Sequence, residues 1–140
     1  MDWQLIDQKL ESLRRSLHRV VQKCPDDMET LSRDVDAQDI ITLNLTRAVQ
    51  FCVDIGAHLI ADTDAPTPDT MGKVFDGLSS VGIINPDLAL RMKKAVGFRN
   101  VAVHDYEAIN WEIVFAIVRD HITDFEDFAR AVIAWQESME

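Results

Sequence analysis

The chain has 140 residues, with 14 Lys and Arg against 24 Asp and Glu, a formal net charge of −10 and a sequence pI of about 4.7. That length fits one domain spanning residues 1–140, and 47% hydrophobic with 27% charged residues is an ordinary globular composition. So acidic a chain is excluded from coating nucleic acid by bulk electrostatics, which needs many cations against phosphates, although a local basic site stays open.

The opening residues, Met1-Asp2-Trp3-Gln4-Leu5-Ile6-Asp7, lack the basic and apolar segments of a signal peptide. No apolar run approaches membrane-spanning length, so a cytoplasmic protein that does not engage a membrane is expected. Leu5, Ile6, Leu10, Leu13, Leu17, Val20 and Val21 then form one apolar stripe, which predicts a helix over about 3–23. Cys24-Pro25 interrupts it. Residues 26–35 are acidic and weakly patterned, either a short helix or a bent continuation of the first. From Asp36 to Ala61 there is no Pro and the apolar residues run around most of the circumference, which predicts a central, buried helix.

Asp62 to Pro68 is a loop by composition, with Thr67-Pro68 able to cap a helix over about 68–80. Gly82 is a stop, and Asn85-Pro86 supplies an N-cap and first helical residue for a helix to about 100. Asn110 is placed to cap the last helix, in which Ile113, Val114, Ile117, Val118, Ile122, Phe125, Phe128 and Val132 keep the helical period to about 136. Strand signals and repeats are absent. The expectation is all-α, an up-and-down bundle of four to five helices.

The two cysteines, Cys24 and Cys52, are too few for a disulfide framework and have no zinc-ligand spacing, so they read as buried thiols in a reducing compartment. Asp34-x-Asp36 and Asp62-x-Asp64 look like metal pairs, but no Gly-Ser precedes either, as a nucleotidyltransferase would have. Phosphate loops, serine-hydrolase elbows and His-Glu-x-x-His are missing, as are the Glu-x-x-His pairs of a di-iron bundle. No cofactor or metal is expected.

Two stretches are basic within the acidic whole. One carries Arg14, Arg15, Arg19 and Lys23; the other carries Arg91, Lys93, Lys94 and Arg99, with no acid between Leu88 and His104. The second leads into Gly97-Phe98-Arg99-Asn100-Val101-Ala102-Val103-His104-Asp105-Tyr106, which holds the only tyrosine. If the helix runs on through His104, Lys93, Gly97, Asn100 and His104 share one face, and Gly97 leaves that face open. Arg99 and His104 then lie about 140° apart around the axis. They converge only if the backbone leaves the helix, if Arg99 bends across, or if a second copy supplies the missing partner.

Such a group suits phosphodiester cleavage without metal. An imidazole, as a class, titrates near neutrality and can take a proton from a ribose 2′-OH or give one to a leaving 5′-oxygen, while a guanidinium offers fixed donors to the charged phosphorane. Efficient transfer needs both an acid and a base, and one such His per chain favours a symmetric dimer with two His104 side chains facing one cleft.

Arg99-Asn100-x3-His104-x-Tyr106, after a helix begun by Asn-Pro, resembles the HEPN superfamily and, within it, the HepT-type toxins of HEPN/MNT toxin–antitoxin pairs. The likeness extends to Asp39, Asn44-Leu45, Ala48 and Asp54 on the long helix and to Phe75. It implies a homodimeric, metal-independent endoribonuclease acting on tRNA or mRNA. Arg99 and His104 would be its catalytic pair and Asn100 would shape the site. Tyr106 matches the tyrosine to which a partner nucleotidyltransferase antitoxin adds AMP, placing bulk and negative charge beside His104.

The same residues admit plainer readings. Arg99 alone reads equally as an ion-paired residue at a helix C-terminus, His104 as a structural histidine, and Tyr106 as a half-buried aromatic. Asp54 shares one side of its helix with Asn44, Arg47 and His58, either as part of a polar stripe or as a carboxylate supporting Arg99 or His104. Arg14, Arg15 and Arg19 are an RNA rim or a solvated face, His18 and His121 read as surface residues, and Trp3, Trp111 and Trp135 as core or interface anchors. The alternative for the whole chain is a catalytically silent HEPN-like binding or regulatory module, whose sequence would be expected to lose the Arg or the His.

Overall fold

Short polar side chains decide where each helix begins. In the computed structural model, which describes Met1 to Glu140, Asp2, Asp27, Asp34, Thr70, Asn85 and Asn110 each accept a hydrogen bond from a backbone N–H in the first helical turn. The helices so begun are α1 (Trp3–Lys23), α2 (Met28–Arg33), α3 (Val35–Ala61), α4 (Met71–Ser80), α5 (Pro86–His104) and α6 (Trp111–Ala116). A 3-10 turn, Tyr106–Ala108, separates α5 from α6, and α6 continues through a π-helical turn, Ile117–His121, into α7 (Ile122–Ser138). There is no strand.

The expected elements are present with three differences. Helix α4 starts after Thr70, whose hydroxyl accepts from Lys73 N at 3.2 Å, leaving Thr67-Pro68 in the loop. Helix α5 extends to His104 rather than stopping near 100. The last helix is not regular, because its π turn inserts one extra residue per turn; such turns are rare and concentrate at functional sites.

Helix α3 is the central element, packed most extensively on α1 and also against α4, α5 and α7. By length and composition it could cross a membrane, contrary to the expectation that no segment approaches that character; here its apolar residues, among them Ile41, Leu45, Val49, Cys52 and Ile55, form the bundle core. At Gly56 an added Cβ would meet Val74 Cγ1 at 2.5 Å, and at Gly77 it would meet Ile60 Cδ1 at 2.8 Å, so these glycines set how closely α3 and α4 approach. Phe75 and Phe128 meet edge to face with ring centres 5.8 Å apart. Gly82, at φ +83°, terminates α4 and lets Ile83 N donate to Leu78 O. Cys52 is buried and Cys24 half-buried, both are free thiols, and burial raises both thiol pKa values.

Candidate functional site

The unbroken run of α5 through His104 removes one of the geometries left open by the sequence, a backbone that leaves the helix between Arg99 and His104. Lys93, Gly97, Asn100 and His104 share one exposed face. Arg99 projects from another side, half-buried, and no backbone irregularity turns it toward His104 within the chain.

Arg99 forms no ion pair. Its Nη1 donates to Asn100 Oδ1 at 3.2 Å, and its Nε is buried without any partner. That removes the reading of Arg99 as an ion-paired helix end. A buried, unsatisfied guanidinium nitrogen costs free energy and requires a reason, and an anion supplied from outside the chain is one. His104 is exposed at the C-terminus of α5 and makes no side-chain hydrogen bond.

Tyr106 opens the 3-10 turn that follows, and its hydroxyl donates to Asp39 Oδ1 at 2.6 Å. Its ring meets Trp111 edge on, with centres 6.2 Å apart, so Trp111 has a definite task in fixing the turn. The side chain is nonetheless 42% exposed. Burial, then the Asp39 carboxylate, push the phenol pKa up to about 12.

Asp54 does not support Arg99 or His104 within the chain. It accepts a hydrogen bond from Gln50 Nε2 at 2.8 Å and pairs with Lys9 Nζ of α1 at 3.6 Å, because its side of α3 faces α1. The stripe it was grouped with is mixed, since Asn44 is buried and donates to Ile40 O while Arg47 and His58 are exposed. Arg14 pairs with Glu11 on an exposed face, and Arg15 and Arg19 are exposed beside it.

The basic stretch is also weaker than its composition suggests. Arg91 is held by Asp87, Asp124 and Asp127, and Lys93 by Asp76, all acids outside the stretch. Lys94 and Arg99 are left without ion pairs. His121 is exposed, as expected, and its Nδ1 lies 3.1 Å from Asp124 Oδ2, while Asp124 itself is 7% exposed. This Arg91–Asp124–His121 cluster links the π turn to α5 and was not foreseen from sequence.

Beside it runs an apolar groove of about 470 Å³, lined among others by Leu45, Gly97, Phe98, Val101, Ile113 and Phe125. Arg99, Asn100, His104 and Tyr106 do not line it. An added Cβ at Gly97 would meet nothing within 4 Å, so the fold of one chain does not demand glycine there. Asp34 caps α3 through Ala37 N, which gives the Asp34-x-Asp36 pair a structural task.

Comparison with known proteins places this geometry in context. The family described as ribonuclease HepT-like matches residues 6–132. The mRNA nuclease HepT of Shewanella oneidensis is 33% identical over 130 residues, covering 93% of this chain and 97% of that protein. The tRNA nuclease HepT of Aphanizomenon flos-aquae is 25% identical over 104 residues, covering 74% and 71%. Among solved structures, the tri-AMPylated HEPN toxin of Shewanella oneidensis in complex with MNT antitoxin superposes with a TM-score of 0.86 at 33% identity, covering 92% of this chain and 96% of that one.

Proposed function

The chain belongs to the ribonuclease HepT-like family, and from that premise we propose that it is the toxin of a HEPN/MNT pair, an endoribonuclease that cuts RNA without a metal ion. The observation that carries this reading is Arg99: a guanidinium with no ion pair and a buried, unpartnered Nε, five residues before an unpaired His104.

In the reaction the ribose 2′-oxygen attacks the adjacent phosphorus, the bond to the 5′-oxygen breaks, and a 2′,3′-cyclic phosphate and a 5′-hydroxyl result. One imidazole accepts the 2′-OH proton and another protonates the departing 5′-oxygen. Arg99 stabilises the charge that develops on the phosphorane oxygens, and Asn100 holds the guanidinium through Oδ1. Arg99 and His104 leave the unbroken α5 about 140° apart, and a homodimer brings two copies of each to one cleft.

Control comes through Tyr106, the residue after the short step from His104 to the 3-10 turn. A cognate nucleotidyltransferase antitoxin adds AMP there, and the added phosphodiester repels the RNA backbone from the cleft. Analysis of the cleaved ends tests the chemistry: 2′,3′-cyclic phosphate is expected, and a 3′-hydroxyl with a 5′-phosphate overturns the mechanism. Sedimentation of the free chain should give the mass of a dimer; a monomer that cuts at full rate overturns the shared cleft.

A further inference from the structure

Tyr106 and Asp39 are 67 residues apart and meet through a 2.6 Å hydrogen bond in which the phenol donates its only proton. Asp39 lies near the start of α3 and is exposed, with no ion pair and no hydrogen bond to any other side chain. The phenol ring is held edge on by Trp111 while the side chain stays 42% exposed. An accessible hydroxyl therefore sits in a fixed orientation with a carboxylate already on its proton.

We propose that Asp39 is the proton acceptor for modification of Tyr106, so that this chain, and not only its partner transferase, supplies a catalytic group for its own adenylylation. The proposal rests on the reading of Tyr106 as the modified residue. A nucleoside triphosphate presented by the transferase is attacked at its α-phosphorus by Tyr106 Oη. The Oη–P bond forms, the P–O bond to pyrophosphate breaks, and the phenolic proton passes to Asp39 and then to solvent. Transfer also neutralises the carboxylate as the negatively charged phosphorus centre reaches Oη, which removes a repulsion that a permanently charged Asp39 would impose.

Without such an acceptor the phenol must ionise first, and its burial opposes that. Asp39 is the charged group hydrogen-bonded to Oη; His104, Asp105 and Glu107 flank Tyr106 along the chain and Glu112 begins the facing helix. None of them donates to or accepts from the phenol.

The test is the rate of AMP addition to the full chain by its cognate transferase with ATP and magnesium, followed by intact mass, for wild type, Asp39→Asn and Asp39→Glu from pH 7 to 9. Asp39→Asn can still accept the hydrogen bond but cannot keep the proton. Its rate at pH 7 is expected to fall at least tenfold, toward the 10²–10⁴-fold worth of a positioned base. The ratio of its rate to wild type should then rise about tenfold per pH unit, as the phenolate fraction does. Asp39→Glu, which restores a carboxylate, should keep a ratio that does not change with pH. An unchanged Asp39→Asn rate overturns the proposal and leaves Tyr106 as the target. A slower rate at a pH-independent ratio assigns Asp39 to holding the turn only, and also overturns it. Wild type that gains no mass at Tyr106 removes the underlying reading itself. Helical circular dichroism of both variants verifies that they fold.

Discussion

Arg99 and His104 stand on one uninterrupted helix, five positions and therefore about 140° apart, and neither has an ion pair in the chain that carries it. The proposed site shares both between two chains. Mixing wild type with the double variant Arg99→Ala/His104→Ala tests this, since the mixed dimer keeps one Arg99 and one His104, both on the same chain. A shared cleft then lacks one of its two imidazoles, and the mixed dimer should cut RNA at least about tenfold more slowly than wild type, a range set by the worth of positioned acid–base groups. Half of the wild-type activity in the mixed dimer means that each chain works alone.

Tyr106 is the only tyrosine, so absorbance near 295 nm follows its ionisation alone. The folded chain should titrate with a midpoint near 12. Because the folded pKa lies above the unfolded value of about 10, the protonated phenol contributes stability below pH 10, and that contribution is lost as pH rises through the folded midpoint. Asp39→Asn should move the midpoint down toward the value of a free phenol; no movement means that burial alone raises it.

Two glycines should respond in opposite directions to alanine. Gly56→Ala drives a methyl against Val74 Cγ1 and should destabilise by about 1–3 kcal/mol, the ordinary cost of overpacking. Gly97→Ala meets nothing within 4 Å and should stabilise the isolated chain by about 0.5–1 kcal/mol through helix propensity. Thermal melts read both, and a destabilising Gly97→Ala contradicts the open face.

Asp124 is the buried acid between Arg91 Nη1, at 2.6 Å, and His121 Nδ1. Asp124→Asn weakens a charge-assisted pair and should cost about 1–3 kcal/mol, moderated because Asp87 and Asp127 also hold Arg91. Denaturant unfolding measures it, and no loss means the cluster contributes nothing net to stability.

Local signals were legible in the sequence and distant pairings were not. Asn85-Pro86 and Gly82 bracket the start of α5 correctly because caps and stops act within a few residues. Arg99, Asn100, His104 and Tyr106 were legible as a spaced motif on that helix. Thr67 and Thr70 are both suitable caps for α4, and only the fold selects Thr70. Since α-helical and π-helical turns leave nearly the same apolar spacing over a short stretch, the π turn at Ile117–His121 left no mark. Arg91 and Lys93 looked free in sequence because the acids that pair with them, Asp124, Asp127 and Asp76, come from other helices. Asp54 looked available for the same reason, and Lys9 of α1 takes it. The Asp39–Tyr106 bond spans 67 residues and no local pattern announces it.

Cleavage of RNA by the purified chain in excess EDTA, beside Arg99→Ala and His104→Ala, tests the assignment most directly. Wild type should cut, and each variant should lose about 100-fold or more of the rate, as removal of a positioned acid–base or charge-stabilising group does. Equal cleavage by all three, or wild-type cleavage that appears only when a divalent ion is restored, would contradict a metal-independent nuclease built on Arg99 and His104.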